Sequence, residues 1–284
     1  MGKKLKCKIG KVVLKNPVIA ASGTFGYGKQ MQDIFNLGCL GGFVTKTITQ
    51  RRRQGNKPPR IYDLGFGVVN SIGLENPGID KFKQEYLSLY SSIKTNVFVS
   101  IYGEKLDEWK EIVSSLDKKS ICGFELNLSC PNIGGEILSA DKDESYRLVS
   151  VLRQLTRKAI IAKLSFSPQI KDVALSLQKA GIDAVTAINT LPAIAVDAKS
   201  HKPVLGNVVG GLSGPCIKPV ALRAVYELAN VLSVPVIGSG GIMNFSDTVE
   251  FLSMGAKAVQ IGTATLVNPR TCQSIAKRLN EHYG

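Results

Sequence analysis

The strongest constraint on this chain is a repeated alternation. Eight short apolar runs, at 17–21, 42–45, 96–100, 123–126, 159–162, 184–188, 235–237 and 258–261, are separated by longer amphipathic stretches. Short apolar runs joined by helix-length connections predict parallel strands with crossover helices. Helical spacing is visible between them: Ile79, Phe82, Tyr86, Leu89 and Ile93 recur every three or four residues, as one buried helix face requires. Pro168 is expected to open another helix, where its missing N–H costs little. Thr248, Val249, Phe251 and Leu252 mark a helix before the last run. Eight such units in 284 residues is the count of an α/β fold of (β/α)8 TIM-barrel type, here preceded by an N-terminal β-hairpin. Two long βα-loop excursions, roughly 47–78 and 189–216, interrupt the pattern, and loops of that length in a compact fold are usually functional. No linker or low-complexity segment divides the chain, so residues 1–284 are read as a single domain.

Composition narrows the function classes. Hydrophobic residues at 44% and charged residues at 20% exclude a disordered chain. No run of about 18 uncharged apolar residues exists, so no membrane span is expected. Lys8, Lys11 and Lys15 interrupt the N-terminal segment, which therefore lacks an apolar signal region. The expected location is the cytoplasm, with the six cysteines as reduced thiols. They stand singly with no C-x-x-C pair, so neither zinc nor an iron–sulfur cluster is expected on this chain. The net charge is +14, with Arg51, Arg52, Arg53, Lys57 and Arg60 as the densest tract. Without interleaved aromatics to stack on bases, the tract reads as a solvated loop or an attractor of anions or an acidic partner. Nucleic-acid binding is not expected.

Active sites of such barrels lie at the C-terminal ends of the strands. The eight exits read Ser22–Gly23, Lys46–Thr47, Ser100, Asn127, Lys163, Asn189–Thr190, Gly238–Gly241 and Gly262–Thr263. One lysine after an apolar strand is an ordinary solvated end. Two, with asparagines at the exits between, predict one converging pocket. Glycines after strands seven and eight let backbone N–H groups approach an anion, and that is where these barrels hold phosphate. Tight turns alone are the other explanation of those glycines. The arrangement suits a phosphorylated cofactor, flavin mononucleotide (FMN) above all, and lacks a Rossmann dinucleotide fingerprint.

Cys130 follows Asn127–Leu128–Ser129 and precedes Pro131–Asn132. A cysteine is often a buried filler. This one lies just beyond a strand exit, near Gly134–Gly135, on a loop able to close over a substrate. Neither His201 nor His282 is placed to activate it, which disfavours a Cys–His hydrolase. The remaining use is as general base toward an acidic C–H. About 3% is thiolate at pH 7 for an ordinary thiol, so activity should rise with pH.

Together the segments Ala21-Ser-Gly-Thr-Phe-Gly-Tyr-Gly28, Thr45-Lys-Thr47, Asn70-Ser-Ile-Gly-Leu-Glu-Asn-Pro-Gly78 and Asn127-Leu-Ser-Cys-Pro-Asn132 resemble dihydroorotate dehydrogenase, family 1, subfamily 1B. Asn189-Thr190, Gly210-Gly-Leu-Ser-Gly-Pro215, Gly238-Ser-Gly-Gly241 and Gly262-Thr263 extend the match in order over nearly the whole chain. The resemblance implies an FMN-containing (β/α)8 barrel that oxidises (S)-dihydroorotate to orotate in pyrimidine synthesis.

The resemblance also implies residue roles. Cys130 would take the C5 proton while hydride passes from C6 to the flavin. Lys46 would touch flavin and substrate. Asn70, Ser71, Ile72, Gly73, Leu74, Asn127, Asn132, Asn189 and Thr190 would hold the substrate. Ser22, Lys46, Thr47, Ser100, Asn127, Lys163, Ile188, Gly214, Gly240, Gly241, Gly262 and Thr263 would hold FMN, with phosphate against the last four. Three features depart from the pattern: Ser100 where asparagine is frequent, Ser165–Phe166–Ser167–Pro168 after the strand-five lysine, and a short loop after Asn132. A homodimer core joined by an electron-transfer subunit carrying FAD and a [2Fe–2S] cluster, passing electrons to NAD, would complete a heterotetramer. A fumarate-linked enzyme would look similar. The residues alone also admit a Schiff-base lyase using Lys46 or Lys163, or a non-catalytic binding module.

Overall fold

The computed structural model describes residues 5–129 and 141–283. Eight parallel strands close a barrel: β1 (Val18–Ala20), β2 (Gly42–Val44), β3 (Asn96–Ile101), β4 (Gly123–Asn127), β5 (Ala159–Leu164), β6 (Ala184–Ala187), β7 (Val236–Ser239) and β8 (Ala258–Ile261). Each pairs with the next in sequence, and β8 pairs with β1. Side chains alternate between the barrel interior and the helices outside. Ile19, Val44, Phe98, Ile161 and Ile237 fill the lower interior. The intervening residues, such as Val97, Val99, Phe124, Ile160 and Val185, face the helical layer.

A hairpin of Cys7–Ile9 and Val12–Leu14 closes the N-terminal end. Ile9 and Leu14 are fully buried against the lower layer, and Gly10 takes φ +54°, as a two-residue hairpin loop demands. With its lower end plugged, the barrel opens only toward the C-terminal ends of its strands.

Several sequence expectations shift. The helix Ile79–Tyr90 buries Ile79, Phe82 and Tyr90. Tyr86 and Leu89 are half-buried, and Ile93 lies beyond the helix end. Pro168 stands two residues ahead of the helix Ile170–Ala180 rather than opening it. Asn127, Lys163 and Ser239 belong to their strands instead of following them. Strands extend through these polar residues because the upper barrel interior is itself polar.

The two excursions meet. They build one antiparallel sheet in the order Leu191–Ala193, Gly210–Ser213, Val68–Asn70 and Ile61–Asp63. Because only Ile188, Asn189 and Thr190 separate Leu191 from β6, this sheet is tethered to the C-terminal end of the barrel. No helix among the described residues is long and apolar enough to cross a membrane.

Candidate active site

The polar residues at the strand exits form one line of contacts. Thr47, just past β2, shares a 2.9 Å hydrogen bond with Ser100 near the end of β3. Asn127, the last residue of β4, directs Nδ2 at Thr47 Oγ1 from 3.4 Å. Asn189, beyond β6, directs Nδ2 at Asn127 Oδ1 from 3.5 Å and accepts from the Thr190 N–H at 2.8 Å. Ile188 is buried, its N–H donating to the Ser239 carbonyl. Lys46 Nζ lies 3.5 Å from Glu75 Oε2, an oxygen that also takes Arg60 Nη1 at 3.1 Å.

Lys163 was expected at a strand exit. It is the fifth residue of β5, in register with Asn127 and Thr186, and only 7% exposed. Its Nζ donates to Gln260 Oε1 at 3.4 Å and stands 3.9 Å from Glu125 Oε1. The exit pattern of the sequence does not single out Glu125 or Gln260. The available signal was a charged or amide side chain in the middle of an apolar strand, Phe-Glu-Leu in β4 and Val-Gln-Ile in β8.

The segment 70–74 is shaped by its neighbours. Asn70 Nδ2 donates to the Gly211 carbonyl at 3.1 Å. Ser71 Oγ accepts from Asn56 Nδ2 at 2.7 Å and from Asn207 Nδ2 at 3.3 Å. The Ile72 carbonyl accepts from the Asn56 N–H. Gly73 and Leu74 follow with φ +73° and +52°. A left-handed leucine is uncommon and worth a functional question. Buried Asn76 holds it by donating to the Leu74 carbonyl at 2.8 Å.

The glycine exits also converge. Thr263 Oγ1 donates to Ser213 Oγ at 2.9 Å, beside Gly214 at φ +97°. Gly240 and Gly241 (φ +122° and +74°) press on the helix Lys218–Ala229: a Cβ on Gly241 would lie 2.9 Å from the Lys218 backbone nitrogen. A Cβ on Gly262 would touch Ala21, the neighbour of Ser22, at 3.5 Å. Asp247 anchors this region, accepting from Lys218 Nζ at 2.7 Å and from the Met243 N–H at 2.8 Å. Hydrogen bonds to Asp247 and Glu250 push the Lys218 ammonium pKa up.

Cys130 and Asn132 lie outside the described residues. The other cysteines, Cys7, Cys39, Cys122, Cys216 and Cys272, are free thiols. Burial pushes the pKa of each one up, that of Cys7 to about 11. The basic tract turns partly inward. Arg53 pairs with Glu104 and lies over the Tyr102 ring, and Arg60 pairs with Glu75. Arg51, Arg52 and Lys57 remain exposed.

A profile of the family described as dihydroorotate dehydrogenase matches residues 4–283. The chain belongs to the dihydroorotate dehydrogenase family. Its relatives include proteins named dihydroorotate dehydrogenase B (NAD(+)), catalytic subunit. That of Geotalea uraniireducens is 44% identical over 99% of this chain and 94% of its own length. That of Petrotoga mobilis is 44% identical over 98% and 93%, and that of Thermodesulfovibrio yellowstonii 44% over 93% and 89%.

The donor set of this dihydroorotate dehydrogenase-family barrel fits a flavin. An ammonium has three donors. Among the described residues Lys163 uses one, at a long 3.4 Å. The Asn127 and Asn189 amides also sit at the long end of hydrogen-bonding distance, so they keep capacity for a ligand.

Proposed function

We propose that this chain oxidises (S)-dihydroorotate to orotate with FMN bound at the barrel mouth, as the catalytic subunit of an enzyme that passes electrons to NAD. The observation that carries the reading is the contact line Thr47–Ser100–Asn127–Asn189–Thr190 above Lys163 in a chain of this family. FMN, when bound, supplies the acceptor for the hydrogen and electron pair that leave C6. Cys130, as thiolate, takes the C5 proton, so the C5–C6 single bond becomes double and charge balances. Lys46 faces the substrate carboxylate, exchanging its Glu75 partner for it. Asn70, Asn127, Asn132 and Asn189 pair with the amide edges of the pyrimidine ring, whose two faces of donors and acceptors match carboxamides. The segment 71–74 and Thr190 wall the pocket. Lys163 supplies fixed positive charge where negative charge develops. Ser22, Ile188, Gly214, Gly240, Gly241, Gly262 and Thr263 shape the remainder of the cofactor site.

In this function residues 1–284 act as one cytoplasmic domain, with FAD and the [2Fe–2S] cluster on a partner subunit within a heterotetramer.

Anaerobic titration of the purified chain tests the function. The expected result is a yellow protein bleached by dihydroorotate, and reoxidised by NAD only when the partner is added. A colourless protein that traps substrate on Lys46 or Lys163 under borohydride overturns the reading in favour of the lyase.

A further inference from the structure

Beneath the mouth the barrel holds a buried polar layer that the proposed chemistry does not use. Glu125 is 0% exposed, Thr186 0% and Gln260 1%. They project inward from β4, β6 and β8, above the apolar layer of Ile19, Phe98, Ile161 and Ile237. Nothing in that lower layer calls for a charge, and an isolated buried carboxylate is costly. The polar contacts instead lead upward. Glu125 Oε2 accepts from Thr186 Oγ1 at 3.1 Å and from Gln260 Nε2. Glu125 Oε1 has no hydrogen-bond partner among the described residues and faces Lys163 Nζ at 3.9 Å. Gln260 Oε1 accepts from Lys163 Nζ at 3.4 Å.

The direction of the amide follows from the carboxylate. An ionised carboxylate only accepts hydrogen bonds. Facing it, Gln260 must present its NH2 group, which leaves its carbonyl oxygen for Lys163. Without the charge the amide is free to flip and offer N–H groups to an ammonium that can only donate. The arrangement therefore reads as a relay: Glu125 orients Gln260, and Gln260 with the facing carboxylate oxygen holds the Lys163 ammonium in place.

We propose that Glu125 is a positioning residue that acts through Gln260 to hold Lys163 against the flavin. The proposal rests on the reading of this barrel as an FMN site, and predicts coupling between Glu125 and Lys163 rather than two separate contributions.

A double-mutant cycle on the purified, FMN-reconstituted chain tests it, with flavin affinity read by fluorescence on release and the midpoint potential by spectroelectrochemistry. Lys163→Met in the wild-type background is expected to weaken FMN binding by about tenfold and to move the potential, a coupling-sized effect for one direct contact. In the Glu125→Gln background the same change is expected to alter affinity by less than about threefold and leave the potential in place. Melting of the apoproteins verifies folding. If Glu125→Gln does not fold, Gln260→Met replaces it, with the same loss of the Lys163 effect expected. Undiminished Lys163→Met effects in the second background overturn the positioning role while leaving the FMN reading intact. A wild-type chain that binds no flavin overturns both.

Discussion

Asn189 and Asn127 meet amide to amide, Nδ2 of the first 3.5 Å from Oδ1 of the second, although they are 62 residues apart in sequence. The contact is too long to contribute much to folding, since hydrogen bonds weaken beyond about 3.2 Å. Its use is to set two amide edges side by side at the mouth. Replacing Asn127 with Ala should therefore leave the melting temperature nearly unchanged and raise the KM for dihydroorotate by roughly three- to thirtyfold, the loss of one or two neutral hydrogen bonds. Steady-state kinetics beside a thermal melt decide the point. A destabilised variant with an unaltered KM would mean that the amide is structural.

Gly211 lies against Thr190, so that an added Cβ would collide with Thr190 Oγ1 and stand 2.7 Å from its Cβ. Gly211→Ala must displace Thr190, which lies between β6 and the strand Leu191–Ala193. Overpacking of this kind costs about 1–3 kcal/mol, and the displaced residues include Thr190 and, through its carbonyl bond, Asn70. Substrate affinity should fall more than FMN affinity. Equal losses of both, measured by orotate and FMN titration, would place the damage in the barrel rather than in the excursion sheet.

The barrel was legible because each strand is a compact apolar run and each crossover carries a helical stripe; these are local patterns. The hairpin was legible for the same reason, and so were the rim residues Thr47, Asn127 and Asn189, which follow apolar runs. What sequence could not reveal was pairing over distance. Nothing local joins Val68–Asn70 to Gly210–Ser213, so the common sheet of the two excursions emerges only in space. The sequence places Lys163 one residue beyond its strand because the apolar run stops at the first charge, whereas the strand continues through it. Glu125 and Gln260 were hidden within runs counted as apolar, and only their mutual contacts explain why a polar layer is tolerated there. Ile93 and Pro168 were misplaced because helix ends are set by tertiary packing as much as by periodicity.

Thiol chemistry checks the proposed base. Burial raises the pKa of the thiols of Cys7, Cys39, Cys122, Cys216 and Cys272, and the thiolate is the reactive form. Iodoacetamide at pH 8 should therefore alkylate Cys130 first, with activity lost in step and orotate protecting. Cys130→Ala should retain FMN and lose roughly 10²–10⁴-fold in flavin reduction rate. Peptide mapping that finds another cysteine modified at the moment of inactivation would remove Cys130 from the role of base.

Asp247 should be the costliest polar residue to remove beside the Gly240–Gly241 turn. Its carboxylate, 7% exposed, binds both Lys218 Nζ and the Met243 N–H, tying the start of the helix Lys218–Ala229 to the loop that carries Gly240 and Gly241. Charge-assisted bonds are worth about 1.5–3 kcal/mol, so Asp247→Ala should lower urea stability by about that amount and weaken FMN retention in parallel. The effect has a definite pH dependence. The folded-state pKa of Lys218 lies above the ordinary 10.5, so the stability from this ion pair is complete below pH 10.5 and disappears as pH rises through the folded value. The stability difference between wild type and variant should accordingly be constant from pH 7 to pH 9 and shrink above 10.5. A difference that persists undiminished in strong alkali would assign the cost to the Met243 bond alone, and the loop would then owe its position to Asp247 as a cap rather than as a counter-ion.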